Sequence, residues 1–282
     1  MAIQRTAAHN AVNPAQGRVV AITSGKGGVG KTNISVNLAI LLSRYRKRVL
    51  LVDADFGMAD TDVLLGVQPD FNLYHVLYKG KSLKDIILQP PQMHGARLIP
   101  ASSGVEEMAD IPKDRLEVFF NELRALDSET DITIIDTATG ISPNVIHFLT
   151  AAPEIILVTT PEPTAITDAY GLTKVISRRQ VNPNIHLVVN QARNEAEAVS
   201  TARAIGSAAE QFLKLRFHHL GYLPQDQSVG MATRQQEPFV NAFPSSAAAN
   251  HLNTIARLLI NASGEHGSLE DYFRKIAGGN DE

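Results

Sequence analysis

Gly25-Lys26-Gly27-Gly28-Val29-Gly30-Lys31-Thr32 is the stretch whose reading decides the fold. Two glycines spaced by four residues, then lysine and a hydroxyl residue, make the phosphate-loop pattern, which carries weight only between a strand and a helix. Both flanks are present. Arg18-Val19-Val20-Ala21-Ile22-Thr23 is a short apolar, β-rich run that reads as a buried strand. Asn33 to Ser43 carries Ile34, Val36, Leu38, Ile40, Leu41 and Leu42 and reads as a helix. Glycine lets the backbone turn where other residues resist, so the N–H groups of Gly27, Gly28, Val29 and Gly30 can approach phosphate closely. The start of the helix adds unpaired N–H groups and a partial positive charge. In this pattern Lys31 reaches the β- and γ-phosphates and Thr32 holds Mg²⁺. The plain alternative, a glycine-rich turn that only caps a helix, does not account for both flanks.

The other segments fall into the same scheme. Arg48-Val49-Leu50-Leu51-Val52 is a second strand running into Asp53-Ala54-Asp55, and carboxylates at that end of a buried parallel strand lie on the ligand edge of the sheet. Phe56 to Asp60 reads as loop; Asp60 either lines a cleft or caps the next helix, and the residues leave both open. Short helices are expected around Leu73–Leu77 and Leu83–Ile87, ended by Pro90-Pro91, then a short strand at Arg97–Pro100 and a longer helix over Pro112–Leu126. Asp131-Ile132-Thr133-Ile134-Ile135-Asp136 is the clearest later strand. An apolar strand ending in aspartate is the Walker B arrangement, in which Asp136 holds Mg²⁺ through water. Further strands are expected at Glu154–Thr159, Ile185–Asn190 and Phe217–Leu223, with helices over Ala165–Ser177, Ala192–Leu215 (interrupted at Gly206), 226–233 and Ser245–Ile260, the last with Leu252, Ile255, Leu258 and Leu259 inward. Asn190, at a strand end, could present its amide to an adenine edge or serve as a helix cap or turn residue. Strands alternating with helices predict an α/β fold: a single domain over 18–260, with a mostly parallel sheet covered by helices on both faces.

Composition bounds the rest. The chain has 282 residues, 44% of them hydrophobic, which suits one large core. Its 26 basic and 29 acidic residues leave a net charge of −3, so no global field gathers nucleic acid and no direct nucleic-acid contact is expected. The absence of cysteine excludes disulfides, thiolate metal sites and cysteine nucleophiles. No apolar run reaches the length of a membrane span, and residues 1–17 lack the apolar centre of a secretory signal. The expectation is a cytoplasmic protein with a mobile N-terminal arm. His218-His219 lies in a strand, so the two rings point to opposite faces and read as structural.

Lys26, beside the first glycine, is the second informative residue. With it the loop resembles the deviant Walker A motif of the MinD/ParA family of ATPases. The resemblance implies a P-loop NTPase fold of the MinD (SIMIBI) kind, ATP and Mg²⁺ as cofactors, and a homodimer in which Lys26 crosses to the partner's nucleotide. It places Asp55 at the Mg²⁺ site in the position that orients the attacking water. It identifies Asp136 to Gly140 as the second switch, with Thr139 a departure, and puts Pro224, in the Pro224-Gln225-Asp226 loop, over the base. Within the family, Pro161-Glu162-Pro163-Thr164-Ala165-Ile166-Thr167-Asp168-Ala169-Tyr170, the Val19–Asp62 block and Ala242-Phe243-Pro244-Ser245 are similar to the flagellar-number regulators of the FlhG/FleN group. That implies a slow regulatory ATPase controlling flagellar number and flagellar gene expression. The implied partners are a flagellar GTPase of the FlhF kind, a flagellar transcriptional activator or flagellar switch proteins. Residues 1–17 lack the Asp-Gln-Ala-x-x-Leu-Arg motif with which many such proteins stimulate the GTPase. A MinD-like division-site regulator, a ParA-like partition ATPase and a metabolic P-loop enzyme are the alternatives.

Beyond the domain, 261–267 reads as a linker and 268–277 as an amphipathic helix. Leu269, Tyr272, Phe273 and Ile276 share one face. Such a tail resembles the membrane-targeting helix of MinD-type proteins, and the expectation is either a peripheral membrane contact through that face or docking on the protein itself.

Overall fold

Apolar strands that alternate with helical segments can bury both sheet faces only between two helical layers. The computed structural model describes residues 17–57, 59–108, 110–179 and 184–261. Its strands are β1 (Arg18–Thr23), β2 (Val49–Ala54), β3 (Arg97–Ile99), β4 (Ile132–Thr137), β5 (Glu154–Thr159), β6 (Asn184–Ala192) and β7 (His218–Pro224). Its helices are α1 (Lys31–Arg44), α2 (Thr61–Leu65), α3 (Leu73–Lys79), α4 (Leu83–Ile86), α5 (Lys113–Arg124) and α6 (Pro143–Ala151), then α7 (Pro163–Arg179), α8 (Glu195–Leu213), α9 (Gln227–Arg234), α10 (Phe239–Ala242) and α11 (Ala247–Asn261). The sheet order is β3-β2-β4-β1-β5-β6-β7, and the strands pair in parallel throughout. The glycine loop therefore leaves the central strand of the sheet, where ligands bind in folds of this kind.

The period of two along each strand sorts the core into halves. Val20, Ile22, Val49, Leu51, Ile132 and Ile134 pack with α1 and α11. Val19, Ala21, Leu50, Val52 and Ile135 pack with α5 to α8 on the other face. Asp53 follows Val49 and Leu51 in phase, and Asp136 follows Ile132 and Ile134. Both carboxylates are thereby delivered to the α1 face, and β2–β4 pairing sets them side by side.

The edge opposite the glycine loop holds a buried charge cluster. Arg18 forks onto both oxygens of Glu154 and donates to the carbonyl oxygen of Leu259 near the end of α11. His186 Nε2 lies 3.3 Å from Glu154 Oε2, and the His218 ring stands 5.4 Å from that of His186. Among the described residues, no group of three His, Asp or Glu side chains is arranged to hold a metal ion.

Three local expectations are corrected. Gly206 does not interrupt its helix: α8 runs from Glu195 to Leu213, since burying Ala198, Ala202, Ile205 and Ala209 outweighs the ~1 kcal/mol propensity cost of one glycine. Leu258 is not inward but 47% exposed, because it falls out of phase with the buried stripe Leu252, Ile255, Ala256 and Leu259. Asp53, read as following its strand, lies within β2, which continues to Ala54, and β4 runs one residue past Asp136 to Thr137. No helix among the described residues is long and apolar enough to cross a membrane. The N-terminal arm, most of the linker, and the tail residues Leu269, Tyr272, Phe273 and Ile276 lie outside the described residues.

Candidate functional site

The loop between β1 and α1 is built to leave backbone N–H groups without partners among the described residues at the helix start. Gly28 and Gly30 have φ of +79° and +88°, the left-handed region that side chains disfavour. A Cβ on Gly28 would meet nothing within 4 Å, so the turn opens outward as a cradle. Gly25 answers to packing instead: its Cβ would stand 2.3 Å from the backbone carbonyl carbon of Asp168 on α7. At the start of α1 the capping residue is Gly30, with no side-chain cap and no acidic residue in the first turn. The first N–H groups of the helix are thus left for an anion. Gly140 N–H donates to the Ser24 carbonyl oxygen at 3.0 Å, tying the second switch to this loop.

Beneath the cradle, Lys31 Nζ and Ser35 Oγ both donate to Asp136 Oδ1 at 2.8 Å. Lys31 is 5% and Asp136 1% exposed. Asp136 Oδ2 is buried and has no hydrogen-bond partner among the described residues. Asp53, equally buried, faces Asp136 across the β2–β4 register. Burial and that neighbouring carboxylate push the Asp53 carboxyl up to about 7, against the pull of the Asp55 N–H. Two buried carboxyls against one amine, with an acceptor oxygen left over, form a donor set suited to a hard divalent cation such as Mg²⁺. Thr32 and Asp55 are half-buried at the rim, and Asp55 N–H donates to Asp53 Oδ1 at 3.0 Å. Asp60 occupies the N-cap position of α2, but its carboxylate makes no capping bond, so the cap half of its reading is not realised.

Lys26 stands outside the cradle. Its amine, 36% exposed, pairs with Glu162 Oε2 at 2.6 Å and donates to Thr164 Oγ1 at 2.8 Å, where β5 gives way to α7. An exposed ion pair of this kind contributes roughly 0–1 kcal/mol, so the amine is readily released.

The β6 and β7 ends close the other flank. Asn190 Nδ2 donates to the Val29 carbonyl oxygen at 2.7 Å, and Asn190 Oδ1 accepts the Gln191 N–H at 2.9 Å. The amide considered for an adenine edge is therefore engaged by the protein on both atoms and braces the loop from below. It also explains Gly30, where a Cβ would lie 2.4 Å from Asn190 Nδ2. Pro224 ends β7, half-buried, and Asp226 begins α9 two residues on. Asp226 accepts from Ser228 Oγ at 2.6 Å and Ser228 N–H at 2.9 Å, and its second oxygen accepts the Ala248 N–H of α11 at 3.0 Å. One carboxylate thus caps two helices. Burial works against its ionisation, but the donors from Ser228, Ala248 and Ala247 outweigh burial and hold it below the usual aspartate range. A carboxyl with a lowered folded pKa stabilises above its unfolded pKa and loses that contribution as pH falls through the folded value. Asp226→Ala should therefore cost about 1–2 kcal/mol at pH 7. The gap from wild type in urea midpoint should narrow below about pH 4. A gap that is constant with pH would count against the double cap.

The structure gathers Gly27, Gly28, Val29, Gly30, Lys31, Thr32, Asp55 and Asp136 around one cradle, with Lys26 on one rim and Asn190 and Pro224 on the other flank. Three residues of the site, Ser35, Glu162 and Thr164, were not expected from the sequence, and Asp53 was placed at the ligand edge without a role. Ser35 was visible only as the residue one helical turn after Lys31. Asp53 could be read from the strand phase that also governs Asp136. Glu162 and Thr164 lay in a quoted segment, but nothing local revealed that they hold Lys26.

A family model described as an AAA domain matches residues 17–189. The chain is similar to the antiactivator FleN of Pseudomonas aeruginosa, with 36% identity over 85% of each chain. It is similar to the flagellum site-determining protein YlxH of Helicobacter pylori, with 34% identity over 92% of this chain and 86% of that one. Among solved structures it resembles the cell-division ATPase MinD of Pyrococcus furiosus at TM-score 0.72 and 26% identity, covering 88% of this chain and all of the other.

Proposed function

Because the chain belongs to the MinD/ParA family of P-loop ATPases, in its FleN/FlhG group, we propose that it is an ATP-driven dimerising switch that regulates flagellar number, flagellar placement and flagellar gene expression. The observation that carries the reading is Lys26. Its amine belongs to the loop by sequence yet lies outside the loop's own cradle, in an exposed pair that costs little to open.

In this reading Lys31 holds the β- and γ-phosphates of ATP, and the N–H groups of Gly27, Gly28, Val29 and Gly30 line them. Thr32, Asp55 and Asp136 hold Mg²⁺, which when bound neutralises charge on the phosphates. Asp55 orients the attacking water, Pro224 packs over the base, and Lys26 leaves Glu162 to reach the partner's phosphates. Positioning and charge, without a covalent protein intermediate, suffice for phosphoryl transfer to water. The partners we propose are a second copy of this chain and a transcriptional activator of flagellar genes, in line with the antiactivator relative. A flagellar GTPase of the FlhF kind and flagellar switch proteins complete the set. The segment 268–277 provides a peripheral membrane contact.

Asp55→Ala should bind ATP, fail to turn it over and accumulate as a dimer in light scattering with Mg·ATP. Adding Lys26→Ala should return it to a monomer. A monomeric Asp55→Ala protein at saturating ATP would overturn the switch.

A further inference from the structure

β2 stops pairing with β4 at Ala54 and Thr137, so Asp55 is the first residue of its segment outside the sheet. A carboxylate that orients a reacting water needs a fixed place all the same, because small displacements are costly in rate. The structure shows how the segment is held. On the near side the Asp55 N–H donates to Asp53 Oδ1 at 3.0 Å. On the far side the Gly57 carbonyl oxygen accepts the Gly104 N–H at 3.3 Å, from the loop that follows β3. Between them stands Phe56, buried in the core. It continues the phase of Leu50, Val52 and Ala54 and enters the half of the core that holds α5 and α6. There its ring centre lies 5.6 Å from that of Phe148 on α6, with the planes tilted by 58°. Phe148 in turn meets Phe119 and Phe120 of α5, at 6.4 and 5.6 Å between ring centres and close to edge-on. Rings prefer tilted and edge-on arrangements at such spacings, so each ring orients the next.

Phe148 belongs to the helix that follows the second switch. α6 begins at Pro143, just after Ser142, whose Oγ accepts the Val145 N–H at 3.4 Å. The Phe56–Phe148 contact therefore joins the segment that carries Asp55 to the segment that follows Asp136. A buried phenylalanine is ordinarily core and nothing more. Phe56 differs in its place, next to Asp55 and past the end of strand pairing. We infer that Phe56 is the positioning residue for Asp55, its ring held by Phe148 so that the two switch segments keep one relative placement. The inference rests on the nucleotide reading given above. Without the ring, Asp55 keeps its charge and its N–H bond, but packing no longer sets where its carboxylate stands. Lys31 and α1 lie on the opposite face of the sheet, so the binding of ATP is spared.

The test separates turnover from binding in the full chain. ATPase rates at saturating Mg·ATP, calorimetric titration with ATP and urea midpoints are taken on the same samples. Phe56→Leu and Phe148→Leu should each lower kcat roughly tenfold or more and leave the Kd for ATP within about twofold of wild type. The double variant should be no slower than either single one, because both remove the same contact. Phe119→Leu takes a ring from the same cluster, one that meets Phe120 and Phe148. It should lower the urea midpoint by a similar amount and keep the wild-type kcat. Should Phe56→Leu fail to fold, Phe56→Met, which refills the space with a flexible chain, should fold and show the same loss of kcat. Wild-type kcat in the Phe56 variants, a parallel loss of ATP affinity, additive losses in the double variant, or an equal loss of kcat in Phe119→Leu would overturn the assignment. A wild type that fails to bind or to hydrolyse ATP would instead overturn the nucleotide reading, and the assignment with it.

Discussion

Lys31→Ala should bind no ATP and should unfold on the order of 3 kcal/mol more easily than wild type. The two losses share one cause. The Lys31 amine is 2.8 Å from Asp136 Oδ1, in a pocket where both partners are almost wholly removed from water. Removing one member of a buried pair leaves the other charge with its desolvation cost and no compensation, a penalty typically near 3–5 kcal/mol. Ser35 Oγ remains on Asp136 Oδ1 and softens this, but Asp136 Oδ2 has no partner among the described residues and Asp53 sits beside it. A double change separates binding from stability. In Lys31→Met with Asp136→Asn, a neutral pair of similar size should recover most of the urea midpoint while ATP binding stays absent. Recovery of binding along with stability would show that Lys31 serves the fold alone. A midpoint unchanged in Lys31→Ala would show that the pair is not closed in solution.

Arg18→Ala should cost a similar amount, on the order of 3–5 kcal/mol, with no loss of ATP affinity in the protein that remains folded. Arg18 begins β1, and the loop lies beyond its other end, six residues or about 20 Å away. Its guanidinium forks onto Glu154 and reaches the Leu259 carbonyl oxygen, so it joins β1, β5 and α11 at the edge remote from nucleotide. Without it Glu154, buried at the start of β5, loses both bonds of the guanidinium fork. Arg18→Lys should rescue little, because an ammonium is a point charge and cannot present the planar fork. Denaturant midpoints with ATP titrations on the same samples check both halves. A parallel loss of ATP affinity would mean that the remote edge is coupled to the cradle, and an unchanged midpoint would mean that the cluster contributes nothing.

Much of the molecule was legible before any coordinates. The strands of the described residues lay where apolar runs are bounded by turn residues, most plainly β1, β2, β4 and β5, which are buried at every position, because a strand buried on both faces has to be largely apolar. The cradle was equally plain, since its function rests on backbone groups whose presentation is encoded in a few adjacent glycines. Helix interiors were less reliable. Gly206 reads locally as a break, and Leu258 is apolar yet exposed, because packing against the sheet outvotes single-residue preference in both places.

The sequence by itself determined the fold class, the glycine loop between β1 and α1 and the carboxylates at the sheet edge, since each is written in contiguous residues and strand phase. Only the tertiary structure decided what holds what. Arg18 and Glu154 are 136 residues apart, as are Lys26 and Glu162, and Asn190 meets Val29 across 161 residues. Such pairs depend on strand order, which leaves no local pattern. Hydrogen bonds act over about 3 Å in space, whereas periodicity is read only along the chain.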